Sequence, residues 1–524
     1  MFSKMSHGGS ESFDEEIQFR TPFGYMFPPL VAGAPGSNPA LLPESSDTTD
    51  ALLALGDAMA DPGNQTRPHP EMDSKLPAVM TYIGQFVDHD ITANTDRDGE
   101  MFNAIAAGSD LTPVAVADVT GPDARLTNGR RPHLDLDSVY GDGPPLVAES
   151  EGTLASELYD DELLLKVQRG HGYLDLPRGG ANGRDARIAD LRNDENIIVG
   201  QFHAMMLLFH NRVAEALSAN NADGPSHAHR YLRARQLVRW CYQYVVAHEY
   251  LPAVCDKAVV EDVLRNGPRH FAPGIHAEPL FMPLEFSVAA FRFAHSMIRP
   301  FYQLNAKTEL SLIDVLGPAH ASQDPAKEAL QEHGGAFRLK PDRVVEWGHF
   351  VPRLHGAHQN ARRIDPRLAT GLFQLDEGLG ERMDANLKHL ARSNLLRAYK
   401  LRIPTGQAVA KAMGIVPLAA EQMAENDGIG TAVRDGGFDT RTPLWYYVLR
   451  EAEVQQKGNR LGAVGSRIVA ETLMGLLKND PNSFLNNRHD PNISDRGIEL
   501  WTDRHDRTRI ATIADMVEFA GAPV

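Results

Sequence analysis

Thr81-Tyr82-Ile83-Gly84-Gln85-Phe86-Val87-Asp88-His89-Asp90 is the stretch from which the rest of this chain is best interpreted. Read as a helix, the stretch has apolar residues around most of its circumference, which predicts a buried helix over about residues 80–93. At 3.6 residues per turn, Gln85, Asp88 and His89 fall on one face of that helix. Burying an amide, a carboxylate and an imidazole is costly unless partners compensate them. The stretch therefore predicts a polar site inside the core, with a backbone-bonded core histidine as the plain alternative.

The composition is that of an ordinary folded protein and excludes several functional classes. Hydrophobic residues make up 42% and charged residues 23% of the 524 residues, as in globular domains. The net charge of −17 disfavours a nucleic-acid-binding surface, because such surfaces are basic. No stretch approaches the roughly 18 apolar residues of a membrane span, and Met1 to Glu16 shows no secretory signal. We therefore expect a soluble protein, either cytoplasmic or secreted by a signal-independent route.

The order of patterns along the chain predicts a mainly α fold, with a single large helical domain and few short strands. Residues 1–75 are rich in Pro, Gly, Ser and Asp and are expected to form an N-terminal extension, partly loop, over a main domain of residues 76–524. Residues 95–130 are expected to be loop with short extended pieces, and residues 170–190 are expected to be loop. Periodicity predicts helices at about residues 190–218, 229–250, 284–298, 383–397, 406–412, 444–454 and 461–478.

Asp135 and Asp137 form a second candidate site. They alternate within Arg131–Gly141, so they project to the same side of an extended chain. Asp90 points away from the polar face of the predicted helix and needs a partner elsewhere. Carboxylates and loop carbonyls suit a hard cation such as calcium. On spacing alone, a solvated strand edge is the competing interpretation.

Arg192, Glu195 and Asn196 repeat the i, i+3, i+4 spacing on the predicted helix 190–218. A surface ion pair of this kind contributes little to stability. The residues that follow, Ile197–Val199, are all apolar β-branched residues, which indicates that this turn enters the core. The three polar residues are therefore a candidate for a second polar group inside the protein.

Four further residues have structural interpretations. His203 and His210 lie two turns apart on one predicted helix, but the Glu-x-x-His spacing of helical di-iron sites is missing. We expect structural roles for both, with a paired-histidine metal site as the alternative. Cys241 and Cys255 are the two cysteines and lie in or near apolar segments. They predict buried free thiols rather than a disulfide, and they exclude a disulfide-built scaffold.

Arg292 and His295 lie at i, i+3 among aromatic residues of the predicted helix 284–298. A single histidine in such surroundings is either plain core or an axial haem ligand. Asn394 and Arg397, also at i, i+3, could supply the hydrogen bond that orients a metal-binding histidine.

Taken in order, these motifs resemble those of the animal-type haem peroxidases, the myeloperoxidase and lactoperoxidase relatives of the peroxidase–cyclooxygenase superfamily. The chain is similar to a bacterial-style member without disulfides, and the resemblance extends from about residue 75 to about residue 480. The matching segments are Gly84–Asp90 (family distal motif Gly-Gln-x-x-Asp-His-Asp), Asp135–Gly141 (calcium loop), Arg192–Glu195 (catalytic Arg and haem-linking Glu), Phe291–His295 (proximal helix) and Asn394–Arg397 (Asn partner).

The resemblance implies haem b and calcium as cofactors. His89 would accept a proton from hydrogen peroxide and return it to the leaving oxygen. Arg192 would stabilise the charge on the breaking bond, and Gln85 would order a distal water or halide. Cofactor-binding roles are implied for Asp88, Glu195, Arg292, His295, Asn394 and Arg397.

These cofactor roles differ from residue to residue. His295 would bind the haem iron, and Asn394, with Arg397 beside it, would fix the orientation of that imidazole. Arg292 would pair with a haem propionate. Asp88 and Glu195 match the two residues that form ester links to haem in the family.

The calcium ligands that the resemblance implies are Asp90, Asp135, Asp137 and the carbonyl of His133. Arg131 departs from the family pattern, because it stands where the calcium loop usually has a threonine. One side-chain oxygen is thereby lost, so weaker calcium binding is expected.

Two other departures bear on the reaction. Asn196 stands where myeloperoxidase has a methionine bonded to haem, so a third link cannot form and chloride is a poor candidate substrate. Arg292 stands where cyclooxygenases and fatty-acid dioxygenases have their radical tyrosine, which favours a peroxidase.

The resemblance implies an oxidoreductase that reduces hydrogen peroxide and oxidises small anions (bromide, iodide, thiocyanate) or phenols through a ferryl intermediate. A haem-dependent fatty-acid dioxygenase and a peroxinectin-like adhesion protein are the alternatives. We find no integrin-type or repeat-bearing extension to support the second alternative. Nothing in the sequence defines an oligomeric state.

Overall fold

The chain is mainly α, as predicted: 51% of the residues that the structure describes are helical, and the strands among them are short. The computed structural model describes residues 21–32, 36–60, 70–93, 111–120, 124, 126–141, 143–144, 158–160, 162–170, 172–179, 185–220, 226–273, 280–316, 339–354, 357–373, 388–502 and 506–524.

The helices of the described residues are α1 (Pro28–Val31), α2 (Ser46–Ala58), α3 (Val79–Ile91), α4 (Val116–Thr120), α5 (Asp137–Tyr140), α6 (Ile197–Asn220), α7 (His227–Val245), α8 (Leu251–Val254), α9 (Lys257–Asn266), α10 (Leu312–Val315), α11 (Leu390–Lys400), α12 (Gly406–Ala412), α13 (Ala420–Met423), α14 (Gly428–Asp435), α15 (Leu444–Gln456), α16 (Ala463–Asn479) and α17 (Ile513–Ala520).

The strands are β1 (Thr21–Gly24), β2 (Asp73–Pro77), β3 (Thr127–Asn128), β4 (Gln168–Gly170), β5 (Tyr173–Asp175), β6 (Arg178–Gly179), β7 (Asp185–Ala186), β8 (Met282–Pro283), β9 (Phe301–Gln303), β10 (Glu309–Ser311), β11 (Asn360–Arg362), β12 (Ile493–Ser494), β13 (Gly497–Trp501) and β14 (Arg507–Ile510). They form two- and three-stranded sheets around the helical core, and β1 lies between antiparallel β3 and parallel β8.

The central helix α3 runs close to the predicted bounds and lies deep in the core. Its side chains are buried except for Gln85 and Asp88, which keep partial exposure. Phe86 packs edge-on against Phe202, with ring centroids 4.9 Å apart. At Gly84, an added Cβ would lie 2.5 Å from the hydroxyl oxygen of Tyr250, so only glycine lets α3 approach this neighbour. Helix α3 packs against α6 and against the segment that carries His295.

The described part of the predicted N-terminal extension is bound into the main domain. The backbone N–H groups of Met26 and Phe27 donate to the buried carboxylate of Glu285, at 2.8 and 3.1 Å. The Tyr25 hydroxyl donates to the carbonyl of Leu401 at 2.8 Å. Helix α2 packs along α11. The domain boundary at residue 75 stays a prediction.

The predicted continuous helix over 190–218 is wrong, because the chain first forms a separate 3-10 turn at Leu191–Asp194. The Asp190 side chain accepts the N–H of Arg192 and caps this turn. The Asn196 side chain accepts the N–H of Val199 at 2.9 Å, so a new helix, α6, begins at Ile197. Two polar side chains that bond their local backbone explain the interruption.

The predicted helix 284–298 is irregular. A π-helical turn at Glu285–Ala289 leads into a 3-10 segment at Ala290–His295. The side chain of Arg292 donates to the carbonyl of Ser287 at 3.0 Å, and the indole of Trp445 donates to the carbonyl of Arg292 at 3.2 Å. Side chains therefore satisfy carbonyls that a regular helix would use. Irregular turns of this kind are frequent at functional sites.

The predicted loops contain short regular elements. Residues 170–190 include β5, β6 and β7, and β4 begins just before them, so the loop prediction is wrong there; residues 171 and 180–184 lie outside the described ranges. Within 95–130, which is described only in part, α4 and β3 form. In the C-terminal region, α12, α15 and α16 lie close to their predicted bounds. Helix α11 begins at Leu390, after residues 374–387, which the structure does not describe.

Both cysteines are free and buried, as predicted. Among the described residues, no helix combines the length and the apolar character needed to cross a membrane.

We expect the protein to lose stability in acid, because burial lowers the pKa of histidines in the folded state. His210 is fully buried in α6, and burial lowers its pKa from 6.5 to about 3. The unfolded chain takes up a proton near pH 6.5 and the folded chain does not. The free energy of unfolding is therefore unaffected by His210 above pH 6.5 and falls as the pH drops from 6.5 towards 3. At pH 5.5, one unit below the unfolded pKa, the free energy of unfolding is lowered by about 1.4 kcal/mol.

We expect His210→Leu to reduce the difference in thermal stability between about pH 7.5 and pH 5.5. The measurement is the apparent Tm of the haem-free protein at both pH values. An unchanged difference would contradict a neutral, buried His210.

Candidate active site

Partly accessible polar side chains lie on elements whose other residues are mostly buried. Two of them belong to α3, one directly follows the Leu191–Asp194 turn, two belong to Ala290–His295 and one belongs to α11. They are Gln85, Asp88, Glu195, Arg292, His295 and Arg397. All six were singled out by the sequence as site residues. Their partial exposure on otherwise buried elements leaves these side chains accessible to a bound group.

Four side chains from α3 and from the segment that follows the Leu191–Asp194 turn are in contact. The Gln85 amide donates to a carboxylate oxygen of Glu195. The Asn196 amide donates to the carbonyl oxygen of Gln85 at 3.2 Å. The same Glu195 oxygen lies 3.6 Å from Nε2 of His89. These contacts place α3 and the Arg192–Asn196 segment on the same side of the site.

His89 is buried, with 2% exposure, and is suited to act as a base. Burial lowers its pKa to about 4, and the charge of Arg192 acts in the same direction. The imidazole is therefore neutral at pH 7. Its Nδ1 contacts Oδ1 of Asn193 at 2.9 Å, whereas its Nε2 faces Glu195.

Arg192 is held by groups on both sides. Its guanidinium donates to both carboxylate oxygens of Asp190, at 2.7 to 3.3 Å, and to the carbonyl of His89 at 2.7 Å. Burial alone would raise the pKa of Asp190, but Arg192 and Arg130 outweigh burial and hold that pKa well below its usual range. Asp190 is therefore ionised, and the charge of Arg192 has a fixed position next to His89.

His295 and Asn394 form a second pair of polar side chains in contact. Nδ1 of His295 contacts the side-chain amide of Asn394 at 2.9 Å. Burial lowers the pKa of His295 to about 3, and the charges of Arg292 and Arg397 add to this effect. The imidazole is therefore neutral. The atom of Asn394 that contacts Nδ1 is the amide nitrogen, so turning this amide by 180° would bring its oxygen to Nδ1–H and leave Nε2 for a metal ion.

Arg292 links the two sides electrostatically. Burial lowers the pKa of its guanidinium; the charge of Asp88 opposes this, and that of Arg192 reinforces it. Asp88 itself accepts a hydrogen bond from the Thr92 hydroxyl at 2.9 Å. The charged groups of the distal side thus lie within electrostatic range of the segment that carries His295.

Asp90, Asp135 and Asp137 come together as a buried carboxylate cluster, with one oxygen of each within 4.8 Å of the others. The predicted extended chain is wrong, because Leu136 adopts a left-handed conformation (φ 60°) and Asp137 begins α5. The turn nevertheless brings both carboxylates to Asp90. Burial raises the pKa of Asp90 and, against the opposing charge of Arg130, raises that of Asp137 to about 7.

The surroundings of the cluster favour a cation. Neither carboxylate oxygen of Asp137 has a hydrogen-bond partner among the described residues, although Arg130 lies 3.2 Å away as an ion pair. Asp90 accepts from the Leu136 N–H and the Ser138 hydroxyl, at 3.2 and 3.1 Å. Arg131 is exposed, and His133 is partly buried. The structure does not test whether the His133 carbonyl is a ligand.

Arg130 connects the carboxylate cluster to the distal side. Its guanidinium contacts Asp137 at 3.2 Å and Asp190 at 2.5 Å. Since Asp190 holds Arg192, an uninterrupted chain of ion pairs runs from the cluster to the distal arginine. The sequence analysis missed Arg130, Asp190 and Asn193. Asp190 and Asn193 lie beside Arg192 in the sequence, but their partners are far along the chain, such as the 104 residues between Asn193 and His89.

Known proteins share both the sequence patterns and the fold. Dog thyroid peroxidase is 28% identical over 288 residues, which cover 44% of this chain and 29% of that protein. The Drosophila melanogaster protein named peroxidase is 29% identical over 195 residues, or 34% of this chain and 26% of that protein. The family model for animal haem peroxidases matches residues 115–336. Over these residues the chain is thus similar to animal haem peroxidases. It spans less than a third of the length of these curated relatives.

Solved structures share the fold of this chain. Peroxidase A from Dictyostelium discoideum matches with a TM-score of 0.59 at 16% identity, over 91% of this chain and 92% of that one. Fatty acid alpha-dioxygenase from Arabidopsis thaliana matches with a TM-score of 0.59 at 14% identity, over 92% and 76%. At these identities the likeness concerns the fold alone.

The animal haem peroxidase family that the chain resembles implies a haem cofactor, and the residues of this site fit one. His295 offers a neutral imidazole nitrogen, and its other nitrogen is oriented by Asn394. The Arg292 guanidinium suits a propionate carboxylate. Across the site, His89 and Arg192 supply a base and a fixed positive charge. The partial exposure of six polar side chains in the core supports a group bound between the two sides.

Proposed function

We propose that this chain is a haem peroxidase that reduces hydrogen peroxide and oxidises small anionic or phenolic donors. One observation carries the proposal: the site contains two neutral histidines with different partners. His89 lies beside the fixed charge of Arg192, and His295 is in contact with Asn394. When bound, haem supplies the redox-active iron.

Each distal residue has one task in the proposed reaction. Nε2 of His89 accepts the proton from the first oxygen of hydrogen peroxide and returns it to the second oxygen, which leaves as water. Arg192 stabilises the negative charge that develops on the leaving oxygen, because Asp190 holds its guanidinium in place before peroxide arrives. Gln85, which is bonded to Glu195 and Asn196, positions a water or an anion beside His89.

His295 would bind the iron of the bound haem. Asn394 fixes the plane of that imidazole, and Arg397 contributes positive charge beside it. Arg292 pairs with a propionate. The accessible carboxylates of Asp88 and Glu195 are proposed to carry ester links to haem. Their partial exposure on otherwise buried elements supports this role.

The proposed donors are iodide, bromide, thiocyanate and phenols. Asn196 bonds Gln85 through its side chain and cannot form the link that a methionine forms in myeloperoxidase. A less oxidising haem is the expected consequence, so these more easily oxidised donors are favoured over chloride.

The test is reconstitution with haem, followed by an absorption spectrum and an assay of peroxide-dependent iodide oxidation. We expect a Soret band, saturable iodide oxidation and retention of haem through acid–butanone extraction. A folded protein without a Soret band would overturn the proposal. Oxygen consumption with a fatty acid, without iodide oxidation, would instead support the dioxygenase alternative, as the fold it shares with fatty acid alpha-dioxygenase allows.

Calcium is proposed to bind the cluster of Asp90, Asp135 and Asp137, together with the His133 carbonyl. Three clustered carboxylates, one of them with no hydrogen bond from the described residues, support an oxygen-liganded cation. The bound ion would neutralise charge that burial disfavours.

Calcium is expected to stabilise the protein by about 2.7 kcal/mol when its free concentration is about 100-fold above its Kd. The measurement is the apparent Tm with calcium and with a chelator. In Asp137→Asn, the calcium dependence should largely disappear. An equal rise in Tm with magnesium, or a dependence unchanged in the variant, would contradict a specific site at this cluster.

A further inference from the structure

A side-chain amide joins two buried histidines behind the distal site. Oδ1 of Asn193 contacts Nδ1 of His89 at 2.9 Å, and Nδ2 of Asn193 contacts Nδ1 of His203 at 3.0 Å. Asn193 and His203 are fully buried. Distances of 2.9 and 3.0 Å are those of direct hydrogen bonds between side-chain atoms.

The chemistry of an amide assigns the protons on both rings. An amide oxygen only accepts, so Nδ1 of His89 carries a proton and donates it. An amide nitrogen only donates, so Nδ1 of His203 is unprotonated and its proton is on Nε2. Nε2 of His203 has no hydrogen-bond partner among the described residues. A neutral imidazole has one proton, so Nε2 of His89, which lies 3.6 Å from the Glu195 carboxylate, carries a lone pair and no proton.

The segment that carries Asn193 is held at both ends. Asp190 caps the turn and binds Arg130 and Arg192. Asp194, at the other end, binds both terminal nitrogens of Arg178, at 2.9 and 3.1 Å. The Asn193 side chain therefore starts from a fixed backbone, and His203 fixes the direction of its amide.

We propose that Asn193 is a positioning residue, held by His203, that keeps His89 in the tautomer protonated at Nδ1 and thereby aims its unprotonated Nε2 into the site. The inference rests on the proposed function, because the value of this tautomer is that it can accept the peroxide proton. The other tautomer would present an N–H to the site and could not accept that proton.

The experiment measures cyanide binding to the ferric, haem-loaded protein through the shift of the Soret band. Hydrogen cyanide must give up its proton to bind as the anion, and Nε2 of His89 is the group that accepts the proton. We expect Asn193→Leu to slow cyanide association by about 10- to 100-fold, as loss of an orienting hydrogen bond does at other histidine sites. We expect Asn193→Asp to restore the rate to within about 3-fold, because it keeps an oxygen acceptor for Nδ1–H.

The matched control is His210→Leu. His210 and His203 both lie in α6, both are fully buried, and Nε2 of each has no partner in the described chain. His210 contacts Tyr140 instead of the distal site. We expect His203→Leu to slow cyanide association by about 3- to 10-fold and His210→Leu to leave it unchanged. If Asn193→Leu binds cyanide at the wild-type rate while His89→Leu is slow, the positioning role is overturned.

A second readout does not require haem. Nitrogen NMR of ¹⁵N-histidine-labelled protein, with the His89 signals assigned through His89→Gln, distinguishes a protonated Nδ1 from a protonated Nε2. Protonated Nδ1 supports the inference and protonated Nε2 overturns it. Absence of a Soret band would overturn the proposed function alone, because this spectrum would still decide the tautomer.

Discussion

Replacing His295 by leucine is expected to abolish stable haem binding while the protein stays folded. The neutral imidazole of His295 is the candidate iron ligand, and its orientation is set by Asn394 at 2.9 Å. Leucine has no donor atom for the metal. The measurement is titration of the haem-free protein with haem, followed by the Soret band after gel filtration. We expect the band to be lost, and peroxide-dependent iodide oxidation to be lost with it.

Two variants separate ligation from general damage. His210→Leu removes another buried histidine and should keep the Soret band. Asn394→Leu leaves the ligand in place but removes its orienting partner, so haem affinity or activity should fall by about 10- to 100-fold rather than vanish. A normal Soret band in His295→Leu would show that another residue binds the iron, and the proposed assignment of the two sides would then be wrong.

Replacing His89 by leucine is expected to slow the reaction with hydrogen peroxide by about 10²- to 10⁴-fold without loss of haem. The proton would lose its acceptor, while Arg192 would remain held by Asp190. The measurement is the second-order rate constant for peroxide, obtained by stopped-flow absorption. Because burial lowers the pKa of His89 to about 4, the wild-type rate should be constant from neutral pH down to about pH 5 and fall towards pH 4.

Arg192→Lys provides a comparison in the same pocket. Lysine keeps the charge but cannot reproduce the paired hydrogen bonds to Asp190, so a clear loss of rate with an unchanged pH profile is expected. A His89→Leu protein that reacts with peroxide at the wild-type rate would exclude His89 as the proton acceptor.

The helical class and the central position of α3 could be predicted because they depend on local periodicity. The spacing of Gln85, Asp88 and His89 places them on one helical face, and the structure shows α3 buried with two accessible polar side chains. The prediction failed where side chains compete with the backbone. Asn196 begins a new helix by capping Val199, which hydrophobic periodicity does not report.

The supporting residues of the site could not be predicted from spacing. The contacts of Asn193 with His89 and of Arg130 with Asp190 cross 104 and 60 residues. Neither pair has a periodic signature, because the tertiary fold alone brings the partners together. The sequence predicted that an extended chain would direct Asp135 and Asp137 to the same side. They do lie next to Asp90, but the left-handed conformation of Leu136 places them there.

The N-terminal segment has a consequence for the timing of folding. Its contacts at Glu285 and Leu401 lie 259 and 376 residues farther along the chain. At a synthesis rate of about 5–20 residues per second, Tyr25 would wait roughly 20–75 seconds for its partner to be made. During that time Phe23, Met26 and Phe27, which are buried in the native state, have no completed core to enter. The nascent chain is therefore expected to depend on chaperones until the ribosome has passed α11.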